Sequence, residues 1–159
     1  MITPGRPFSR LAPPPRVYNG RVLDERPNGS SMMHPNLKLA EEVWDAVARS
    51  DVAALKRYWQ PEIVWHIMGD NPWHGDHVGH DAVFEYLANV GESGGAYTTR
   101  LDDVLVSEDR VLYICHVNAR RHGKTVETDQ LLLARLKEGR VAEVWTVPMA
   151  PTDFEGFWV

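Results

Sequence analysis

The sequence predicts an α+β fold in which helices cover one face of an antiparallel sheet. Residues 36–89 contain three segments whose apolar residues recur with helical spacing, and residues 97–147 read as strands joined by short polar turns. Apolar residues make up about half of both faces of these strands, whereas a sheet with one solvated side alternates cleanly. We therefore expect helices to cover one face and a partner subunit or the chain ends to cover the other.

The first 33 residues are predicted to lie outside the folded core. They hold six of the eleven prolines, and five arginines against two acidic residues. A segment of this composition buries too little apolar surface to offset the entropy lost on ordering. The chain is thus divided into a Pro/Arg-rich N-terminal extension, residues 1–33, and one domain, residues 34–159.

The first half of the domain is predicted to be mostly helical. Residues 36–50 have the spacing of an amphipathic helix, and Ser50 or Asp51 caps a second helix that Pro61 ends. The elements that follow are a short strand, a loop rich in Gly, Asp and His, and a third helix with Tyr86 on its inner face, over residues 62–68, 69–79 and 80–89.

Four strands of one meander are predicted to fill the second half of the domain. Polar turns, two of them with glycine, separate runs rich in Val, Leu, Ile, Thr and Tyr, over residues 97–106, 111–119, 125–136 and 141–147. The turns set a register in which alternate residues share a face. The rows on the first face are Asp102, Cys115, Gln130 and Val147; Val104, Tyr113, Leu132 and Trp145; and Arg100, Val117 and Thr128.

The second face of this sheet is predicted to be largely apolar, with His116 paired to Asp129. An apolar patch of this size is rare on the surface of a monomer. We therefore expect a homodimer through the back of the sheet. The apolar residues of this face are Leu101, Leu105, Leu112, Ile114, Leu131, Leu133 and Val144.

Composition and charge exclude several classes of function. The 159 residues carry a formal net charge of −5, which argues against nucleic acid as a partner, since phosphate contacts need grouped Lys and Arg. The single cysteine, Cys115, rules out an intrachain disulfide and a multi-thiolate zinc site. No run approaches the ~20 apolar residues of a membrane span, and the N-terminus lacks the apolar core of a signal peptide. We expect a cytoplasmic protein with no membrane partner.

Three stretches carry a resemblance to a known family. They are SDVAALKRYWQPEIVWHIMGDNPWHGDHVGHDAVFEYL, GRVAEVWTVP and DFEGFW. Over residues 35–158 the chain resembles the SnoaL-like branch of the nuclear transport factor 2 superfamily, which includes ketosteroid isomerases, polyketide cyclases and limonene epoxide hydrolases. The resemblance implies a cone, or cystatin-like roll, in which a curved sheet wraps on N-terminal helices around one deep pocket. It also implies that the back of the sheet often forms a dimer.

The catalytic residues of those relatives are missing from the matching positions. The acids and the tyrosine of the isomerases fall near Ile67, at Leu132 and near Val43, and the acid of the cyclases also falls near Leu132. The Arg and Asp of the epoxide hydrolases fall near Tyr113 and Cys115. None of the three sets carries over, but their placement selects the first face as the pocket lining.

Three residues are candidates for acid/base chemistry. Asp102 and Arg100 lie two apart on the first face, where a partly buried carboxylate has an adjustable pKa and can act as a general base. A structural ion pair at the strand end is the alternative. His66, at the end of the first strand, is able to transfer protons near neutral pH. Strict alternation turns it away from the pocket, although strand ends bend.

The pocket is predicted to be aromatic and to bind a small hydrophobic molecule. His74, His77 and His80 near Asp70 and Asp76 have the composition of a metal site, but their spacing in a loop favours a solvated pocket rim instead. We expect no metal and no cofactor. The predicted substrate-binding residues are Tyr58, Trp65, Trp73, His74, Tyr113, Cys115, Thr128, Gln130, Leu132 and Trp145.

Two functions remain open from the sequence. The first is an isomerase, cyclase or hydrolase with acid/base chemistry on an apolar or polyketide-like molecule. The second is a non-catalytic ligand-binding or assembly module, because unrelated reactions and scaffolds share this cone. A pocket with a paired, desolvated acid favours the enzyme.

Overall fold

The computed structural model describes residues 34–92 and 96–158. The predicted extension, residues 1–33, lies outside the described residues, so the domain boundary stays a prediction. A short 3-10 helix, Pro151–Phe154, follows the last strand. The helices are α1 (Pro35–Ala48), α2 (Val52–Tyr58) and α3 (Gly79–Glu92), and the strands are β1 (Trp59–Ile67), β2 (Gly75–Val78), β3 (Ala96–Val106), β4 (Arg110–Arg121), β5 (Lys124–Lys137) and β6 (Arg140–Pro148).

The first two helices begin at side-chain caps. His34 accepts a hydrogen bond from the Asn36 amide, and Pro35 occupies the first turn, where its missing N–H costs nothing. The Asp51 carboxylate accepts from the Ala54 amide at 2.9 Å, so the predicted cap is confirmed. None of the helices in the described ranges is long and apolar enough to cross a membrane.

The six strands form one sheet in the order β2-β1-β6-β5-β4-β3. β1 runs parallel to β6, and every other neighbouring pair is antiparallel. The helices pack on one side of the sheet, where Trp44 of α1 contacts Tyr113 of β4, and Phe84 of α3 stacks on Trp59 of β1. The predicted α+β cone is confirmed.

Two tight turns fix the meander. His122 and Gly123 both have positive φ, as do Glu138 and Gly139. Two successive residues with positive φ are typical of the type I′ turn. The backbone twist of this turn matches that of the two strands that it joins, so it is common in two-residue hairpins. The register of β4 and β5 that these turns predict is confirmed, and its pairs are Tyr113 with Leu132, Cys115 with Gln130, His116 with Asp129, and Val117 with Thr128.

A β-bulge in β3 changes the predicted register of the residues that precede Val104 in the strand. Leu101 lies opposite Cys115 and Asp103 lies opposite Ile114, so that Asp102 is the extra residue. The predicted pairing of Asp102 with Cys115 is therefore wrong. A bulge shifts the alternation of side chains by one residue, which buries Leu101 among the core side chains and turns Arg100 and Asp102 to the opposite face of the sheet.

A second bulge lies in β6. Arg135 of β5 pairs with Glu143, whereas the next residue, Leu136, pairs with Val141, which leaves Ala142 as the extra residue. The same shift affects the rest of the strand. Trp145 pairs with Leu133 rather than Leu132, so its predicted place on the first face is wrong, and so is the predicted place of Val144 on the second face.

We call the two sides of the sheet the cavity face, with Tyr113, Cys115 and Gln130, and the outer face, with Ile114, His116 and Leu131.

The segment predicted as one loop over residues 69–79 also contains a short strand, β2. It pairs with β1 so that His77 lies opposite Trp65.

Candidate ligand-binding site

An internal cavity of about 90 Å³ lies between the helices and the cavity face of the sheet. Its walls come from α1, α3 and five of the six strands. Most of them are apolar, because bulky side chains from the two layers meet without closing the centre of the cone. The apolar and aromatic walls are Val43, Trp44, Val47, Trp59, Trp65, Leu87, Val90, Tyr113, Leu132, Ala134, Val141 and Val144.

Five uncharged polar side chains complete the wall: Tyr86, Tyr97, Thr99, Gln130 and Thr146. Thr146 accepts a hydrogen bond of 2.8 Å from the indole Nε1 of Trp65 and also bonds the hydroxyl of Tyr86. The side chains of Thr99 and Gln130 bond the hydroxyl of Tyr97. The polar groups therefore form two hydrogen-bonded clusters, which together make a polar patch in an otherwise apolar wall.

The two tyrosines of this patch are neutral hydrogen-bond donors. Burial raises the pKa of the Tyr86 hydroxyl well above its ordinary value, and the nearby Tyr97 raises it further. Burial also raises the pKa of Tyr97, although its bonds to Thr99 and Gln130 lower it in part. Both phenols stay protonated at neutral pH, since a low-dielectric site disfavours the charged form.

A second cavity, of about 70 Å³, adjoins the first and shares Tyr86, Val90, Tyr97, Gln130 and Thr146 with it. It lies between the loop after β1 and residues 148–158, and we call it the mouth. Trp73 and Trp158 meet edge to face there, with ring centroids 4.7 Å apart. The other residues around this mouth include Ile67, Met68, Asp70, Asn71, Pro148, Pro151, Phe154 and Glu155.

Half of the predicted substrate-binding residues line these cavities. Trp65, Tyr113, Gln130 and Leu132 line the inner one, and Trp73 lines the mouth. The other five line neither cavity. They are Tyr58, which bonds Glu42; His74, which is exposed; Cys115 and Thr128, which are buried in the sheet; and Trp145, on the outer face.

The predicted catalytic pair, Arg100 and Asp102, lies on the outer face because of the bulge in β3. The Arg100 guanidinium holds both carboxylate oxygens of Asp102, at 2.6 and 3.2 Å. This hydrogen-bonded pair lowers the pKa of Asp102 against the opposing effect of burial. Their predicted place beside Cys115 on the pocket face is wrong. The alternative, a structural ion pair, is present, but it lies in the middle of β3 rather than at a strand end.

His66 also lies on the outer face. Its Nδ1 is 2.7 Å from the Asp76 carboxylate, its Nε2 is 3.5 Å from that of Glu143, and its ring stacks on Trp145 with centroids 4.9 Å apart. The strand end does not swing the imidazole towards the cavity, because β2 and β6 pair with β1 on both sides. Strict alternation predicts this orientation correctly, and the bend at the strand end that would bring His66 to the pocket does not occur.

The histidines after β1 do not converge. His77 Nε2 is 2.9 Å from the Trp73 carbonyl oxygen, and His80 Nε2 is 3.4 Å from that of Trp59. On the outer face, Asp102, His116 and Asp129 place ligand atoms within 4.8 Å of one another. Arg100 already holds Asp102, however, and a guanidinium beside the cluster opposes a cation.

Cys115 is a small buried side chain rather than a nucleophile. Burial raises the pKa of its thiol to about 12, and the thiolate is the reactive form.

Sequence reasoning missed Tyr97, Thr99 and Thr146 as lining residues because the two bulges were not anticipated. One signal was present in β3, where Asp102 and Asp103 are adjacent in a strand whose residues alternate between two covered faces. A bulge lets both carboxylates reach solvent. The sequence also placed Tyr86 on the inner face of α3, and that position was enough to identify it as a lining residue of the cavity.

The family model for the SnoaL-like domain matches residues 40–144, and the chain belongs to this family. The uncharacterized protein Rv0034 of Mycobacterium tuberculosis is 27% identical over 125 residues, which cover 77% of this chain and 95% of that protein.

Two solved structures share the cone. Bal32a, from a soil-derived mobile gene cassette, is 28% identical with a TM-score of 0.70, over 78% of this chain and 96% of that chain. TerC, co-crystallized with polyporic acid, has a TM-score of 0.67 over 79% of this chain and 98% of that chain. At 16% identity, the likeness to TerC shows the fold alone.

Proposed function

We propose that this protein binds a flat, largely apolar small molecule in the inner cavity. The observation that carries the proposal is the makeup of the wall, which combines aromatic and aliphatic surfaces with a few uncharged hydrogen-bonding groups. Cavities of this kind bind through apolar burial and use a small number of polar groups to orient the ligand. Trp44, Trp59 and Trp65 supply flat surfaces suited to a ring system.

Binding without acid/base catalysis is the favoured form of this proposal. Among the described residues, no Asp, Glu, His, Lys or Arg lines the inner cavity. A general base has to lie within hydrogen-bonding reach of the proton that it takes. Arg100, Asp102 and His66 lie across the sheet from the cavity and have no such reach. TerC, which was co-crystallized with polyporic acid, is a precedent for a small molecule on this fold.

The test of the proposal is calorimetric titration with 1-tetralone, a flat bicyclic ketone. Leu132→Phe adds volume inside the cavity and is expected to weaken binding at least about tenfold, since an overfilled site costs about 1–3 kcal/mol. Leu133→Phe, the adjacent residue on the outer face, is the matched control and should bind as the wild type does. Equal affinities in the two variants, or no binding to the wild type, would contradict the proposal.

The mouth supports a second candidate, an acid/base enzyme. Asp70 and Glu155 line the second cavity, which adjoins the inner one. A ligand that spans both cavities would place a C–H bond near a carboxylate base. This candidate predicts that the wild type accelerates exchange of the α-protons of 1-tetralone in D₂O, followed by NMR. The paired variants Asp70→Asn and Glu155→Gln should remove that acceleration and leave tetralone binding in place.

A further inference from the structure

We infer that the cavity holds its ligand by an acceptor oxygen, such as a ketone or quinone carbonyl, to which Tyr86 and Tyr97 present hydroxyl groups. The inference rests on the proposed function and specifies the ligand class for the same cavity. It follows from a count of the hydrogens in the polar patch.

The first part of the count concerns Trp65, Thr146 and Tyr86. An indole N–H only donates, so Trp65 uses its hydrogen on the Thr146 oxygen at 2.8 Å. The hydroxyls of Thr146 and Tyr86 bond each other, and that bond uses one of their two hydrogens. One O–H hydrogen is left over. Both residues line the cavity, so whichever hydroxyl keeps the hydrogen is a candidate donor to a ligand.

The second part concerns Tyr97. Its hydroxyl bonds the side chains of Thr99 and Gln130, which are 4% and 8% exposed. The Thr99 hydroxyl and the Gln130 amide are both able to donate to the phenol oxygen. When they do, the hydrogen of Tyr97 is also left for the cavity. Tyr86 and Tyr97 each line both cavities, so a ligand at the place where the cavities adjoin lies against both residues.

The absence of charged side chains from the described wall argues against a cationic ligand in the inner cavity. A cationic group needs a carboxylate or several acceptors when it leaves water. Among the described residues, no carboxylate lines the inner cavity, and the hydroxyl and amide groups of its wall carry no charge. An acceptor oxygen matches this arrangement, because an unpaired buried donor is costly and a bound carbonyl satisfies it.

The test compares two probes with one skeleton, tetralin and 1-tetralone, which differ by a carbonyl group. A cavity without donors binds the ketone more weakly than the hydrocarbon, because the carbonyl loses its bonds to water. We expect the wild type to bind 1-tetralone at least about fivefold more tightly than tetralin, which corresponds to about one hydrogen bond. Calorimetry on the full chain measures both affinities.

Three variants locate the donors. Tyr86→Phe and Tyr97→Phe each remove one hydroxyl and should lower the affinity for 1-tetralone about 3- to 10-fold while leaving tetralin binding unchanged. Tyr58→Phe is the matched control, since that hydroxyl bonds Glu42 away from the cavity. A carbonyl-labelled ¹³C tetralone gives a second measurement. The carbonyl resonance of the ketone bound to the wild type should lie downfield of its resonance when bound to either of the two cavity variants.

The outcomes separate this inference from the proposed function. If tetralin binds as tightly as 1-tetralone, or if the ketone preference survives in the Tyr86→Phe/Tyr97→Phe double variant, the inference is overturned and the cavity remains a binding site. If neither probe binds the wild type, the proposed function fails and the inference fails with it.

Discussion

The indole Nε1 of Trp65 donates a hydrogen bond of 2.8 Å to Thr146 Oγ1, and this bond joins β1 to β6 inside the cavity. Both residues are buried, with exposed fractions of 6% and 8%. The two strands are parallel neighbours, and their side chains meet beside the shared backbone ladder. The bond therefore fixes the wall at the point where the two cavities adjoin.

Replacing the donor of this bond is expected to destabilise the fold. Trp65→Phe keeps an aromatic ring but removes the N–H, which should cost about 1–2 kcal/mol and lower the Tm by roughly 2–8 °C. Differential scanning calorimetry measures the change. Trp73→Phe, at the partly exposed mouth, is the control and should lose less. A Tm for Trp65→Phe within about 1 °C of the wild type would mean that the bond contributes nothing.

We propose that a second copy of the chain covers the outer face. Ile114, Leu131, Leu133 and Trp145 are only partly buried there, and Leu105 is 50% exposed. This face also carries both signs of charge, which a two-fold contact is able to pair.

Light scattering at micromolar concentration should therefore give the mass of a dimer. Leu133→Glu places a charge at the centre of the proposed contact and should produce monomers, because a desolvated unpaired charge is costly. Met149→Glu, at an exposed residue beyond β6, is the control and should remain dimeric. A monomeric wild type would end the proposal.

His116 is expected to make stability depend on pH. Its imidazole lies between the carboxylates of Asp129, at 2.8 Å, and Glu127, at 3.1 Å, with Arg100 and Asp102 nearby. The bond to Asp129 raises the pKa of His116 above its ordinary value of 6.5, and burial opposes the rise. Protonated His116 therefore stabilises the fold fully below that value, and the stabilisation is lost as the pH rises through the higher folded-state pKa.

The matching test is thermal unfolding of His116→Gln between about pH 5.5 and pH 9. The carboxylates are 61% and 65% exposed, so the pair should contribute only about 0.2–1 kcal/mol, or roughly 1–4 °C of Tm. The variant should melt below the wild type at the acidic end, and the gap should close at the alkaline end. The exposed His74→Gln should show no such trend. A gap that widens with rising pH would contradict the assignment.

The fold was predictable because its turns and its helix caps are local signals. His122-Gly123 and Glu138-Gly139 set the meander, and Asp51 sets the start of α2, without reference to distant residues. The outer-face pair of His116 and Asp129 was correct for the same reason, since the turn between β4 and β5 lies only a few residues away.

The site was less predictable because it depends on two bulges. One extra residue, Asp102 or Ala142, exchanges the two faces for the rest of its strand. The predicted acid/base groups, Arg100 and Asp102, thereby moved to the outer face. The adjacent Asp102 and Asp103 are a local sign of the bulge in β3, whereas the bulge in β6 depends on packing between whole layers and has no such sign in the sequence.

The most direct test of a ligand site in the cavity is methyl NMR of the protein during titration with 1-tetralone. Leu132 and Val144 line the cavity, whereas Leu105 and Val78 are exposed large apolar residues that line neither cavity. A ring bound in the cavity should shift the methyl resonances of Leu132 and Val144 and leave those of Leu105 and Val78 in place. Shifts confined to Leu105 and Val78, or no shifts at all, would contradict the account.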